Sequence, residues 1–445
     1  MNVNLYKQHL EWLQKETEKV LSDCGYDNLI ISAGNIDYYF ADDRPVYFKT
    51  VPHFAHWCPL EGPSHLLCIS SGKKPKLVFF GPDDFWHLPP TLEGKEWLDN
   101  FEVELCKDHS KRFESLKGLS NAAFIGVDKN IPNSFDQNPE KLTRELDWNR
   151  SFKTDWEVSC VDMANKIASK GHLKAKEVFE NGGSELDIMF AYMAETQHTS
   201  FELPYNAIIG LDEHAATLHY EQKLKNVKGT TLLIDAGASC YGYASDITRT
   251  FSGQNRRASI YGKTISNEAH ALFKKLISSL DDIHLKLIDG IKPGESYVDI
   301  HKRSCLMIFD LLKSSGIIES CPDEDSWKFA AVKAFFPHGL GHMLGLQVHD
   351  VSGKQQNMTG DMFNPNKEFP TLRNYRVVEK GNLFTIEPGI YFIPTLIEKL
   401  NAETKDVVIN SSLVSELIPL GGIRIEDNIF IGDKGCENIT RKYLP

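Results

Sequence analysis

A chain of 445 residues, of which 41% are hydrophobic and 25% charged, has the composition of a soluble globular protein and the length of about two or three domains. Its formal net charge of −12 argues against nucleic acid and anionic membrane as partners, because both attract a basic surface. The nine cysteines are scattered without a CxxC pair, which predicts a protein without disulfides. The first residues are charged and no apolar run approaches about 18 residues, which predicts neither a signal peptide nor a membrane span. Together these features predict a cytoplasmic protein.

The first third of the chain predicts a small α/β domain. Its amphipathic first helix and its short apolar runs, rich in β-forming residues, are followed by helical stretches. These elements are a helix at 5–25 and strands at 27–34, 76–81 and 122–128. We therefore predict an N-terminal α/β domain over 1–155 and a second domain over 156–445, where helices and then alternating strands and helices follow.

Residues 38–59, YYFADDRPVYFKTVPHFAHWCP, are crowded with aromatic residues and interrupted by prolines. They show no periodicity and are predicted to form an irregular loop. The loop either packs on its own domain or covers a binding cleft, and the sequence leaves both interpretations open.

Residues 230–253, TTLLIDAGASCYGYASDITRTFSG, contain two strand-like runs around a Gly/Ser-rich turn. If the hairpin is centred between Cys240 and Tyr241, Asp235 lies directly opposite Asp246 on the same face of the sheet. Two adjacent carboxylates repel each other unless something neutralises them, and a shared cation would do so. The alternative is that both aspartates cap the turn.

Two further strands carry acids in apolar surroundings. NLFTIEPGIYF (382–392) is predicted to be a strand in which Glu387 follows Ile386, although an isolated buried carboxylate is costly. GGIRIEDNIFI (421–431) alternates, so that Arg424, Glu426 and Asn428 share one face. That face either lines a site or belongs to an exposed, salt-bridged strand.

The stretch FPHGLGHMLGLQVHD (336–350) holds His338, His342 and His349, and its glycines argue against a regular helix. A single histidine here would be explained by a structural role, but three of them beside four acids indicate a site. The predicted ligand set is Asp235, Asp246, His342, Glu387 and Glu426. Four carboxylates and one imidazole suit two divalent cations, of which Mn²⁺ is favoured and Co²⁺ or Zn²⁺ is possible in vitro.

These motifs, in this order and at these spacings, resemble the metal-dependent pita-bread peptidases, which include prolidases, aminopeptidase P and methionine aminopeptidase. HGLGHMLGLQVHD and GGIRIEDN resemble the bacterial Xaa-Pro dipeptidases in particular, some of which are also called organophosphorus acid anhydrolases. The resemblance covers nearly the whole chain. It implies a small N-terminal α/β domain followed by a C-terminal pita-bread domain that holds a dinuclear metal site.

The resemblance also implies roles for the residues. Asp235 would bind one metal, Asp246 and Glu426 would bridge both, and His342 and Glu387 would complete the second. His349 would contact the scissile carbonyl, His338 would line the pocket for the proline ring, and Glu387 would shuttle a proton. Further predicted substrate contacts are His219, Arg424 at the terminal carboxylate, the pocket-wall residues Tyr205, Leu218, Tyr297 and Val348, and Asp43 with Asp42 from a second subunit.

The implied reaction is hydrolysis of Xaa-Pro dipeptides by a hydroxide that bridges the two metals, in a homodimer or a higher oligomer. Organophosphorus triesters and fluoridates are predicted as side substrates. The alternatives are an aminopeptidase P-like enzyme for longer peptides, a binding module without catalysis, and a metal-free hydrolase of the creatinase type. Residues 252–275 depart from the bacterial relatives in being longer, and they either reshape the cleft rim or decorate the surface.

Overall fold

The computed structural model of the protein describes residues 1–88, 90–253 and 258–445. These residues form two compact units, the first comprising Met1–Ser159 with Gln355–Met362 and the second Cys160–Lys354 with Phe363–Pro445. Within the described residues, none of the helices combines the length and the apolarity needed to cross a membrane. Residues 254–257 of the segment predicted to depart from the relatives lie outside the described part.

The first unit is built on a six-stranded sheet, which confirms the predicted α/β domain. Its elements are α1 (Val3–Cys24), β1 (Asn28–Ser32), α2 (Pro52–Trp57), β2 (Leu66–Ser70), β3 (Lys76–Phe80), β4 (Glu102–Cys106), β5 (Ala122–Ile125), β6 (Phe135–Gln137) and α3 (Glu140–Arg150). The strand order is β4-β3-β2-β1-β5-β6, with β1 antiparallel to β2 and parallel to β5. Helix α1 begins where the side chain of Asn2 accepts a hydrogen bond from the Leu5 amide, and it ends at Gly25 in the left-handed conformation.

The aromatic segment 38–59 divides into two parts. Residues such as Tyr38 and Phe40 are exposed, whereas Phe54 and Trp57 are buried in the first unit. The sequence interpretation missed helix α2, although Pro52 at its first turn is a typical start signal. Whether the exposed part covers a cleft stays a prediction.

The second unit contains the remaining elements, together with most of helix α4, which begins in the first unit. They are α4 (Asp155–Glu180), α5 (Glu185–Thr196), β7 (Ile208–Leu211), β8 (Thr231–Asp235), β9 (Ser239–Cys240), β10 (Tyr243–Ala244), β11 (Thr248–Ser252), α6 (Asn267–Asp289), α7 (Tyr297–Ser314), β12 (Ile318–Ser320), α8 (Asp325–Lys333), β13 (Leu383–Ile386), β14 (Gly389–Tyr391), α9 (Pro394–Glu403), β15 (Val408–Ile409), α10 (Ser411–Leu417), β16 (Gly422–Arg424), β17 (Asp427–Gly432) and β18 (Gly435–Asn438). The largest core packs apolar side chains of α6 and α7 against those of β13, β14, β16 and β17. Three of the predicted ligands, Asp235, Glu387 and Glu426, lie at or just beyond the ends of strands of this unit.

The hairpin at 230–253 forms, but its predicted register is wrong. The turn is centred between Tyr241 and Gly242, so that Asp235 pairs with Thr248 instead of Asp246. Tyr241 and Gly242 both have positive φ, at 50° and 84°, as a two-residue type I′ hairpin turn requires. The corrected register makes Asp246 a diagonal neighbour of Asp235, on the same face of the hairpin.

The predicted strands at 382–392 and 421–431 are each interrupted at their acid. Strand β13 pairs with β17, whereas β14 pairs with β16, so the chain changes partners at Glu387 and again at Glu426. Pro388 has no amide hydrogen for the ladder, which explains the first break. Both acids therefore lie at a junction between sheets, and Glu426 is buried, which excludes the exposed-strand interpretation.

Candidate metal centre

The structure brings the five predicted ligands together inside the second unit. Asp246, His342 and Glu426 each offer one ligand atom within 4.8 Å of the others. The Nε2 atom of His342 lies 3.3 Å from Asp246 Oδ2 and 3.7 Å from Glu387 Oε1. Asp235 joins this group through the hydroxyl of Tyr205, which is 2.7 Å from Asp235 Oδ1 and 2.5 Å from Asp246 Oδ1.

The backbone around His342 fixes which ring nitrogen faces the carboxylates. Its Nδ1 atom lies 3.0 Å from the carbonyl oxygen of Met343, to which it must donate. In the neutral ring the Nε2 lone pair then faces Asp246 and Glu387, which is the tautomer that a metal-binding histidine needs, and in the protonated ring Nε2 donates to Asp246. Thr385 holds the residue in place, because its hydroxyl accepts from the amide of His342 and its own amide donates to the His342 carbonyl.

Two residues support the acids: Thr248, which the sequence interpretation missed, and Asn428, which it placed on the same face as Glu426 without giving it a role. The hydroxyl of Thr248 donates to Glu426 Oε2 at 2.7 Å. The side-chain amide of Asn428 spans the backbone of Asp246, accepting from its N–H at 3.1 Å and donating to its carbonyl. Both lie within the motifs ASDITRT and RIEDN, so their place beside the acids was the available signal.

Burial and mutual repulsion dominate the electrostatics of this cluster. Burial raises the pKa of Asp235 to about 6 and that of Glu387 to about 7, and nearby carboxylates add to both. Burial and the charge of Asp246 also raise the pKa of Glu426. Although burial raises the pKa of Asp246, hydrogen bonding to His342 brings it below its ordinary value, whereas the neighbouring acids raise the pKa of His342 despite burial.

This donor set fits divalent cations. Three buried carboxylates and the partly buried Glu387, whose charges repel each other, are costly to keep ionised, and cations held between them would remove that cost. The five residues offer carboxylate oxygens and one imidazole nitrogen, which are ligands for hard or borderline divalent ions. The cluster thus has the chemistry expected of the predicted dinuclear site.

A chain of hydrogen bonds links the centre to His338. Arg424 donates from Nη2 to Asp235 Oδ2 at 2.6 Å and from Nη1 to the hydroxyl of Tyr391 at 2.7 Å. That hydroxyl lies 2.8 Å from His338 Nε2, and His338 Nδ1 lies 2.8 Å from the carbonyl oxygen of Gly339, so Tyr391 donates to a neutral ring. Burial and the charge of Arg424 lower the pKa of His338 to about 3, which agrees with that neutral form.

The other predicted contacts are placed as follows. The ring of His349 meets the ring of His342 edge-on, with the ring centroids 4.4 Å apart. His219 contributes to lowering the pKa values of both His338 and His349, so it lies near both. Leu218 packs against the small cluster that includes Tyr391. Val348 is half-buried beside His349, and Tyr297 is fully buried with its hydroxyl on the carbonyl of Thr385.

Asp43 belongs to the first unit, where it is exposed. The first unit also buries a group of His9, His56 and Glu157, whose ligand atoms lie within 4.8 Å of one another. Glu157 Oε2 accepts hydrogen bonds from the amide and hydroxyl of Thr154. Since Glu157 is the third residue of α4, its pairing with Thr154 is a capping box, which gives Glu157 a structural role.

Comparisons with known proteins match both units. Residues 159–433 match the profile of metallopeptidase family M24, and residues 4–148 match that of the Xaa-Pro dipeptidase N-terminal domain. A Xaa-Pro dipeptidase of Pseudoalteromonas atlantica is 39% identical, with 98% of each chain covered, and one of Marinobacter nauticus is 38% identical, with 99% of this chain and 98% of the other covered. Aminopeptidase PepP of Pseudomonas aeruginosa has the same fold, with a TM-score of 0.72 at 19% identity over 100% of this chain and 96% of the other.

Proposed function

Because this chain belongs to metallopeptidase family M24, we propose that it is a metal-dependent dipeptidase that hydrolyses Xaa-Pro dipeptides. The observation that carries the proposal is the cluster of Asp235, Asp246, His342, Glu387 and Glu426, of which all but the partly exposed Glu387 are buried. The substrate class rests on the relatives at 38–39% identity, which bear the name Xaa-Pro dipeptidase and match this chain from end to end.

Asp235, Asp246, His342, Glu387 and Glu426 would hold two divalent cations, for which Mn²⁺ is our first choice. Bound there, the cations would activate a water molecule as the nucleophile and polarise the scissile carbonyl. Tyr205 keeps Asp235 and Asp246 adjacent by its contact with both carboxylates.

The other residues would bind substrate and move a proton. His349, edge-on to His342, would donate a hydrogen bond to the oxygen that becomes negative in the tetrahedral intermediate. Glu387 would take a proton from the attacking water and deliver it to the proline nitrogen as the peptide bond breaks. His338, held neutral by Tyr391 and Gly339, offers a flat apolar face to the proline ring.

The test is proline release from an Ala-Pro dipeptide after a chelator has stripped the protein and Mn²⁺ has been restored. We expect release only with metal, none from Ala-Ala, and less from the tripeptide Ala-Pro-Ala. His342→Ala should abolish metal uptake and activity, whereas His87→Ala, an exposed residue of the first unit, serves as the matched control. Preference for the tripeptide would indicate an aminopeptidase P-like enzyme, and a protein that binds no metal would be a binding module.

We also propose a homodimer in which Asp43 of the partner's first unit helps to close the pocket. This proposal rests on the resemblance and on the exposed aromatic residues that flank Asp43, among them Tyr38 and Phe40. Light scattering after gel filtration measures the mass, and Asp43→Asn tests the contact through the KM of the dipeptide. Hydrolysis of phosphotriesters stays a prediction that the same metal-restored protein can be used to test.

A further inference from the structure

One buried carboxylate outside the metal centre fastens both ends of a short loop. Glu185, the first residue of α5, is completely buried. Its Oε1 atom accepts from His214 Nδ1 at 2.7 Å and from the Leu211 amide at 3.0 Å. Its Oε2 atom accepts from the Tyr220 hydroxyl at 2.7 Å and from the Leu224 amide at 2.8 Å. The two side chains that it binds begin and end the loop 214–220.

That loop presents His219. The rings of His214 and Tyr220 stack with centroids 4.3 Å apart, which brings the loop ends together over Glu185. Between them His219 is exposed, and its neighbour Leu218 packs against the cluster that contains Tyr391, whose hydroxyl lies 2.8 Å from His338 Nε2. The loop therefore presents His219 next to a residue that packs beside Tyr391 and His338, and both ends of the loop are bonded to Glu185.

A neighbouring turn supports the same loop from outside. Three successive side chains each bond one residue of the turn 258–264. Asp212 Oδ2 accepts from the Ile260 amide at 2.9 Å, and Glu213 Oε1 accepts from the Ser259 hydroxyl at 2.8 Å. His214 Nε2 lies 2.8 Å from the Tyr261 hydroxyl. Because His214 Nδ1 donates to Glu185, its Nε2 atom accepts from Tyr261. The support thus runs without a break from the turn through His214 to Glu185.

We propose that Glu185 is a positioning residue for substrate binding, which acts by clamping His214 and Tyr220 so that His219 is held at the site. The inference rests on the proposed function, because it takes His219 to be a substrate contact. A carboxylate that accepts four hydrogen bonds can fix a loop more firmly than any one of its partners, since charge-assisted hydrogen bonds are short and strong. Tyr261 extends the clamp, which gives residues 258–264 a role at the cleft rim.

Tyr220→Phe is the sharpest variant, because it removes one donor to Glu185 and keeps the ring that stacks on His214. Tyr443→Phe is its matched control, since the Tyr443 hydroxyl donates to the carboxylate of Asp162 at 2.6 Å. With Ala-Pro as substrate, we expect Tyr220→Phe to raise KM about fivefold and to change kcat by less than about twofold, the pattern of lost binding. Tyr443→Phe should leave both constants unchanged.

A double-variant cycle separates positioning from general weakening of the fold. In a His219→Ala background, Tyr220→Phe should raise KM no further, because the residue that it positions is already gone. Two increases in KM that multiply, or a fall in kcat at constant KM, would overturn the proposal. Tyr261→Phe should give a smaller increase in KM that is likewise lost in the His219→Ala background.

Hydrogen exchange tests the clamp without any assay of activity. Amides of the loop 214–220 should exchange faster in Tyr220→Phe than in the wild type, and at the wild-type rate in Tyr443→Phe. Unchanged exchange in Tyr220→Phe would refute the clamp even if the wild type cleaves Xaa-Pro dipeptides. Faster exchange in a protein that cleaves no Xaa-Pro dipeptide would uphold the clamp and refute the dipeptidase function, and with it the role in substrate binding.

Discussion

At the scale of single residues, Arg424 connects three parts of the centre without being one of the proposed ligands. It is 4% exposed, and its Nε, Nη1 and Nη2 atoms donate to Thr248, Tyr391 and Asp235 respectively. Three directed hydrogen bonds from one planar group require a guanidinium, because an ammonium on a flexible stem cannot reach all three partners. The predicted contact of Arg424 with the substrate carboxylate stays a prediction.

Arg424→Lys is therefore expected to lower kcat/KM for Ala-Pro about 10- to 100-fold, which corresponds to the loss of one or two hydrogen bonds to charged groups. The measurement is steady-state kinetics on metal-restored protein. Arg303→Lys is the matched control, since Arg303 pairs with Glu295 on the partly exposed side of α7 and should keep activity within about twofold. Wild-type kcat/KM in Arg424→Lys would show that the guanidinium fork is dispensable.

The residues that the sequence could identify were those whose chemistry is unusual for their surroundings. Acids in apolar strands and a cluster of histidines are conspicuous, so the sequence alone indicated all five proposed ligands. Thr248 was missed and Asn428, although placed on the same face as Glu426, was given no role, because a threonine or an asparagine in a strand is unremarkable. Their function depends on which atoms lie across the sheet junction, which residue type alone does not encode.

At the scale of elements, the hairpin between β8 and β11 depends on a close approach of its two strands. A Cβ at residue 237 would lie 1.9 Å from the carbonyl oxygen of Ser245, closer than any real contact, so only glycine fits there. This approach lies between Asp235 and Asp246 and sets their separation. At Gly242, in the turn, a Cβ would lie 3.3 Å from Leu346. The main cost of a side chain there would be the backbone strain of a positive φ.

Gly237→Ala is thus expected to push the two aspartates apart and to weaken metal binding at least about tenfold, the effect of about 1.4 kcal/mol. Gly242→Ala should cost about 1–2 kcal/mol of stability through backbone strain and should leave metal affinity near the wild-type value. Calorimetric titration of the stripped protein with Mn²⁺ measures both. Equal losses of metal affinity in the two variants would show that the close approach at Gly237 has no special role.

The same hairpin shows what sequence patterning can and cannot predict about elements. The alternation of apolar and polar residues correctly placed Asp235 and Asp246 on one face, because side chains in strands alternate strictly. The register was wrong by one residue in the turn centre, since the pattern does not say which residues take positive φ. Gly242 was the signal, because a glycine at the second turn position is typical of a type I′ turn.

At the scale of the whole molecule, the two units differ in how directly the sequence predicted them. Local strands and helices of the first unit follow from apolar runs, as for β1, β3 and β5. In the second unit, β13 and β17 pair across more than 40 residues of sequence, and β14 and β16 pair across more than 30. The pairing that brings Glu387 and Glu426 to the junction between sheets is set by long-range packing, and only the family resemblance made it foreseeable.

Buried histidines occur in both units and make the whole molecule sensitive to acid. Outside the metal centre, burial lowers the pKa to about 4 for a group of them: His56, His65, His172, His284 and His301. In the unfolded chain a histidine takes up a proton near pH 6.5. Unfolding therefore binds protons between about pH 6.5 and 4, so these groups contribute stability that is complete above that range and is lost as the pH falls.

His301 offers the cleanest test, because burial is the cause of its lowered pKa and its ring lies among apolar neighbours, edge-on to Phe369 at 4.5 Å. In stripped protein, the free energy of unfolding of His301→Phe, relative to that of the wild type, should rise by about 2 kcal/mol from pH 8 to pH 5. The difference at pH 8 reports packing alone, because the histidine is neutral there in both states. Urea unfolding at the two pH values measures the change, and an identical pH dependence in variant and wild type would show that His301 does not stay neutral in the folded protein.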